Sequence, residues 1–232
     1  MTLAGVKGLR AGRGYGNGLE GMGSMIRTDW DGACLILRLA RADKANALTE
    51  DMLAALLTAV ESAETGGAKA LILTGEGKVF SAGADLDEMK AGLGTNPLWE
   101  QVSSALARFS GLTIAALNGT LAGGATGIAL ACDIRIAVPS AQFFYPVMRL
   151  GYLPQPSDPG RLTALIGPGR ARMILLAGQR IGAEEALSWG LIDRIVAPDQ
   201  LLAAAMGLAA DALAADHLHV QRLAQMTRGD QG

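Results

Sequence analysis

Aromatic residues are scarce in this chain, at 4% of residues, while half of all residues are hydrophobic. Its core therefore has to be aliphatic and alanine-rich. Cysteine is nearly absent: Cys34 and Cys132 both fall in apolar runs. They read as small core residues of a reduced protein, with neither a disulfide framework nor metal spacing. Only two histidines occur, His217 and His219. No cysteine or carboxylate cluster accompanies them, so no metal is expected. Charge of one sign is not in excess, the net being −2. That excludes the basic face a nucleic-acid partner would need. Between Phe109 and Cys132 there is no charged residue, and such a run has to be tested as a membrane span. Asn118, several threonines and the glycines make it a poor one, despite the Gly123-x-x-x-Gly127 spacing. A strand, a turn and a helix inside a core explain it better, and no membrane partner is expected. The first residues lack the uninterrupted apolar stretch of a signal peptide, so the expected location is cytoplasmic.

What is present fits one sizeable core, since 232 residues fall short of two comfortable domains. Residues 1–24 are rich in glycine and arginine and lack periodicity; they read as a disordered extension, with Met25 as a candidate natural start. Gly16-x-Gly18-x-x-Gly21 matches a dinucleotide fingerprint by count only, because no strand precedes it and no helix follows. Residues 25–197 read as the core and 198–232 as a C-terminal helical segment. Trp30-Asp31-Gly32 marks a hairpin turn. Thr49 is an expected N-cap for a helix with Leu53, Leu56, Leu57 and Val60 on one face. Lys69 to Thr74, Leu112 to Leu117, Ile134 to Val138 and Leu191 to Val196 read as strands, and Pro97 to Phe109 and Asp199 to Met226 as helices. Strands alternating with helices predict an α/β class.

Two stretches stand out chemically. Asn118-Gly119-Thr120-Leu121-Ala122-Gly123-Gly124 follows a strand-like run and leads towards Ile128-Ala129-Leu130-Ala131-Cys132, which reads as a buried helix of small residues. Phe80-Ser81-Ala82-Gly83-Ala84-Asp85-Leu86 follows another strand-like run and leads into a short polar helix. A helix start offers free backbone N–H groups, and glycine lets another group approach the backbone closely. Such a turn suits a developing anion; it equally suits tight packing of a small-residue helix.

Taken with Lys44-Ala45-Asn46-Ala47-Leu48, Cys132-Asp133-Ile134-Arg135-Ile136-Ala137 and Ala186 to Val196, these stretches resemble the crotonase (enoyl-CoA hydratase/isomerase) superfamily from about Met25 to Val196. The resemblance implies a spiral of repeated ββα turns followed by helices. It implies an acyl-CoA thioester as substrate, with no separate cofactor. It also implies that the backbone amides of Ala84 and Gly124 hold the thioester oxygen. Lys44 would lie near the CoA phosphates, the carbonyls near Ala45 and Ala82 near the adenine, and Asp85 beside them, at what also reads as a solvated helix start with Glu88.

The departures bear on mechanism. Hydratases of this family carry a glutamate three residues after the second oxyanion glycine, where this chain has Gly127. They carry another after a proline, where it has Val147. Adding water to an enoyl group needs proton-handling side chains, and glycine and valine supply none. Asp158, on a loop that the resemblance places against the acyl group, is the first candidate acid/base; a helix cap is its other reading, a place Ser157 could equally take. Tyr145 and Tyr152 are the next candidates. Arg149 and Arg161 are expected to pair with carboxylates. A non-catalytic CoA-binding or assembly subunit is the alternative function. The resemblance also implies longer terminal helices than this chain has. The C-terminus reads as truncated, and a trimer of the usual kind is not expected, although a homo-oligomer through the Asp199–Met226 face remains open.

Overall fold

A computed structural model describes residues 25–228. The expected extension over residues 1–24, with its glycine-rich motif, lies outside the described residues. The chain opens on strands β1 (Ile26–Asp31) and β2 (Cys34–Leu39), an antiparallel hairpin turned at Gly32, whose φ is +60°. Helix α1 (Glu50–Thr65) follows, with Thr49 Oγ1 accepting the Met52 N–H at 3.2 Å as its N-cap. It buries Met52, Leu53, Leu56, Val60 and Ala63 along one stripe.

From there the chain winds as a spiral. Strand β3 (Ala70–Gly75) is followed by a turn into β4 (Val79–Ser81), then helices α2 (Leu86–Lys90) and α3 (Leu98–Arg108). The next pass is β5 (Leu112–Leu117), β6 (Thr120–Ala122) and α4 (Ala125–Leu130). The third is β7 (Ile134–Ala137), β8 (Gln142–Phe144), α5 (Val147–Leu150) and α6 (Asp158–Leu175). The first strand of each pass joins a six-stranded sheet in the order β1-β2-β3-β5-β7-β10, and the second joins a four-stranded sheet, β4-β6-β8-β9. Here β9 is Ile181–Gly182 and β10 is Arg194–Ile195, on either side of α7 (Ala183–Trp189). Neighbouring strands from successive passes run parallel. Both faces of β3 and β5 are covered, which is why they read as unbroken apolar runs.

The turns between the two sheets stack through asparagines. Asn46 Nδ2 donates to the carbonyls of Glu76 and Val79 at 2.9 and 2.8 Å, and its Oδ1 accepts the Arg41 N–H at 2.9 Å. Asn118 Oδ1 accepts the Gly75 N–H at 3.0 Å while its Nδ2 donates to the Gly77 carbonyl at 3.0 Å. Each turn is thereby tied to the previous one, and Gly119 is required because a Cβ there would run into the Lys78 carbonyl.

The expected Asp199–Met226 helix is two helices, α8 (Leu201–Ala214) and α9 (His217–Arg228), bent by 114°. Lys69 Nζ, from the start of β3, donates to the carbonyls of Leu213 and Ala215 at 2.9 and 2.5 Å and ends α8. Asp216 Oδ1 then accepts the N–H groups of Leu218 and His219 and starts α9. Among the described residues no single helix is long and apolar enough to cross a membrane.

Candidate active site

The two glycine-bearing turns meet. Gly83 and Gly123 have φ of +98° and +56°. A Cβ on Gly83 would lie 3.0 Å from the Ala122 carbonyl oxygen and 3.1 Å from Gly123 Cα. Backbone therefore packs directly on backbone, which glycine alone permits. The residues that follow, Ala84 and Gly124, line one cavity of about 320 Å³.

Their amides are left over by the surrounding hydrogen bonds. Leu48 N–H donates to the Gly83 carbonyl at 2.7 Å, and Asp85 N–H donates to the Leu48 carbonyl at 2.8 Å, so the chain is pinned on either side of Ala84. Gly123 N–H donates to the Phe144 carbonyl at 3.2 Å, and Thr126 and Gly127 N–H groups close the first turn of α4. Among the described residues, neither the Ala84 N–H nor the Gly124 N–H has an acceptor. Trp99 packs its ring against Gly124, where a Cβ would come within 3.0 Å, and anchors its indole N–H on the Leu93 carbonyl at 2.9 Å. The rest of the wall is largely apolar and includes Val147 and Tyr145, with Leu86, Leu150, Tyr152 and Leu153 at the exposed mouth. A larger groove of about 440 Å³ lies between α8, α9 and the start of β5, and holds neither free amide.

The other expected site residues divide. Ala82 lines the cavity. Lys44 and Ala45 lie at a 3₁₀ turn outside its lining; Lys44 is exposed, and the Ala45 carbonyl already accepts the Ala82 N–H at 3.0 Å. Asp85 is structural in this geometry. One oxygen takes the Arg41 guanidinium at 2.7 Å and the other caps α2 through the N–H groups of Asp87 and Glu88. Arg41 holds the Asp85 carboxyl below its ordinary range. Arg41 also donates to the Ala47 carbonyl at 2.9 Å, tying the first turn to the Ala84 segment. Glu88 is no freely solvated charge either, because it accepts the Glu50 N–H at 2.7 Å.

Asp158 is not the helix cap that its sequence context allowed. Ser157 holds that position, with its own hydroxyl on Glu100 at 2.8 Å. Asp158, 1% exposed, turns inward, and its Oδ2 accepts the Tyr145 hydroxyl at 2.9 Å. Its Oδ1 is buried with no partner. Gly127 makes room for it: a Cβ at 127 would lie 2.6 Å from Asp158 Cγ and nearer still to Oδ1. The missing side chain of Gly127 and the buried carboxylate are two halves of one arrangement. Burial pushes the Asp158 carboxyl up to about 7; Glu100 adds to this, while the Tyr145 hydrogen bond and Arg161 oppose it. Burial likewise raises the Tyr145 phenol, which keeps its proton. Neither Arg149 nor Arg161 forms the expected ion pair among the described residues, and Arg161 Nη1 is buried without a partner. Trp99, Glu100 and Arg41 escaped the sequence reading as site residues. Trp99 was nonetheless detectable, since it lies three residues before Val102 on the apolar stripe of α3.

A raised carboxyl has a sign for stability. Relative to an unfolded aspartate near 3.9, Asp158 binds its proton more tightly in the fold. Its contribution is fully present below about pH 4 and is lost as pH rises through about 7. Asp158→Asn mimics the protonated form and should remove that slope. Thermal denaturation at pH 4 and pH 8 should find the variant similar to wild type at pH 4. At pH 8 it should be the more stable of the two, by roughly 2–4 kcal/mol.

Known proteins share this fold. The model of the family described as enoyl-CoA hydratase/isomerase matches residues 30–230. The short-chain-enoyl-CoA hydratase of Clostridium acetobutylicum is 36% identical over 186 residues, 77% of this chain and 71% of that protein. A 4-chlorobenzoyl coenzyme A dehalogenase of an Arthrobacter species is 35% identical over 205 residues, 83% of this chain and 73% of that protein. The crystal structure of an enoyl-CoA hydratase from Bacillus anthracis superposes with a TM-score of 0.83 at 30% identity, covering 90% of this chain and 84% of that one.

Proposed function

This chain belongs to the enoyl-CoA hydratase/isomerase family, and from that premise we propose that it binds acyl-CoA thioesters and stabilises the enolate formed from them. The observation that carries this reading is the pair of acceptor-free amides, Ala84 and Gly124, in the wall of one apolar cavity. A thioester α-proton becomes removable only when the enolate oxygen is held. Two fixed N–H donors in a site with little water contribute several kcal/mol to that. Neither donor is a side chain, so alanine at 84 serves as well as any residue. The cavity takes the acyl group, and the exposed leucines at its mouth, Leu86, Leu150 and Leu153, suit an apolar chain.

The same fold carries hydration and dehalogenation among the named relatives, so family membership leaves the reaction open. Asp158 is the carboxylate placed to move protons, in a lyase, isomerase or hydrolase reaction that passes through the enolate. Isothermal titration should show butyryl-CoA and octanoyl-CoA binding more tightly than free CoA. No binding at millimolar ligand would remove this reading. Binding without turnover of any acyl-CoA in a mass-spectrometric panel would leave a CoA-binding subunit instead.

A further inference from the structure

Asp158 and the cavity are adjacent but not in contact. Tyr145 is part of the cavity wall, whereas Asp158 is not. Tyr145 is the cavity-wall side chain that joins them, its hydroxyl 2.9 Å from Asp158 Oδ2, while the main chain of Gln155 touches both through its carbonyl, which accepts the Asp158 N–H at 3.1 Å. We propose that Tyr145 is the group that exchanges a proton with the substrate, and that Asp158 works through it from behind the wall. This rests on the acyl-CoA reading above.

The step balances as a relay. The Cα–H bond of the bound thioester breaks, and its electron pair moves into the enolate held by the amides of Ala84 and Gly124. The proton goes to Tyr145 Oη, while the phenol's own proton passes to Asp158 Oδ2. Running the relay backwards reprotonates the α-carbon. A buried phenol cannot itself be the resting base, because it keeps its proton. It can pass one on only because a carboxylate lies behind it. The Asp158 oxygen without a partner leaves the ionised form poorly satisfied, which makes the carboxylate a ready proton acceptor. Two other charged groups act on Asp158: Glu100 from α3 and Arg161 from α6 itself. Helix α4 packs Gly127 against it and carries no titratable residue. Asp158 is thus a positioning residue and proton store, and Tyr145 the catalytic one.

The test is wash-in of deuterium at the α-carbon of butyryl-CoA in D₂O, read by mass spectrometry, with affinity read separately by calorimetry. Removing α-hydrogen needs ionised Asp158, so the wild-type rate should rise with pH through about 7. Tyr145→Phe and Asp158→Asn should each lower the rate by roughly a hundred- to ten-thousand-fold with affinity kept. The double variant should lose no more than either single, as groups acting as a unit do. Wash-in by Tyr145→Phe at the wild-type rate would overturn the relay, as would a wild type that binds butyryl-CoA without any wash-in. Failure to bind would count against the acyl-CoA reading itself. A second readout needs no substrate: infrared titration of the Asp158 carboxyl. The Tyr145 hydrogen bond favours the ionised form, so Tyr145→Phe should move the midpoint upward. An unmoved midpoint would overturn the coupling on its own.

Discussion

Offered crotonyl-CoA, the protein should hydrate it roughly a hundred- to ten-thousand-fold more slowly than a hydratase equipped with two catalytic glutamates. Hydration needs one group to activate water and another to protonate the α-carbon. The sequence pattern puts Gly127 and Val147 at the two positions concerned. Geometry makes these unequal. At 127 a carboxylate is present after all, delivered from the start of α6, with Asp158 filling the space a side chain would take. At 147 nothing compensates, because Val147 is a buried, apolar part of the cavity wall. The expected deficit is therefore that of one acid/base group and not of two. A spectrophotometric assay of the enoyl absorbance decides it. A turnover number equal to that of an ordinary hydratase would mean that a group other than these activates water.

Replacing the amide of Ala84 by an ester, through incorporation of lactic acid at that position, should slow any acyl-CoA turnover by roughly a hundred- to a thousand-fold. Side-chain exchange cannot make this test, since the donor is main chain. Proline at 124 would confuse it, because any Cβ there meets the Trp99 ring. The ester at 84 removes an N–H that has no internal acceptor among the described residues. Its structural cost is confined to weakening the Gly83 carbonyl that receives the Leu48 N–H, about 1 kcal/mol. Affinity for the ground-state thioester should change much less than the rate, because the oxygen gains charge only on the way to the enolate. Equal rates for amide and ester would show that the Ala84 N–H does not bear on the reaction.

Much of this was readable in the sequence, for local reasons. The Asp31-Gly32 hairpin, the Thr49 cap and the strand Leu112–Leu117 depend on turn chemistry, capping and burial, all of which are properties of short stretches. The two amide-bearing turns were visible because close backbone approach demands glycine. The misreadings have non-local causes. Residues 199–226 read as one helix because nothing within that stretch reveals Lys69, 144 positions from Leu213, taking the final carbonyls of α8. The apolar run after Gly124 hid where its helix begins. α4 runs from Ala125 to Leu130, starting at once behind the turn, because Gly123 and Gly124 carbonyls accept its first N–H groups. Asp158 could be read as a cap as well as an acid/base because Ser-Asp-Pro is what a helix start looks like. Only the fold shows that Gly127 opens a space behind it and that Tyr145 fills the other side.

The asparagine-tied turns and the Gly83–Gly123 contact have a consequence for how such a protein can change over generations. The two free N–H groups belong to the peptide chain itself, so a codon change at 84 that alters only the side chain leaves the donor in place. A substitution at 83 or 123 puts a Cβ 3.0 to 3.3 Å from the facing backbone and a side chain at a positive φ, so it costs folding as well as the position of the donor. The side chains at the exposed mouth of the cavity, Leu86, Leu150 and Leu153, carry no such double burden. New reactions can therefore be tried out around an inherited anchor, with the lineage risking its chemistry far more readily than its hold on the ligand.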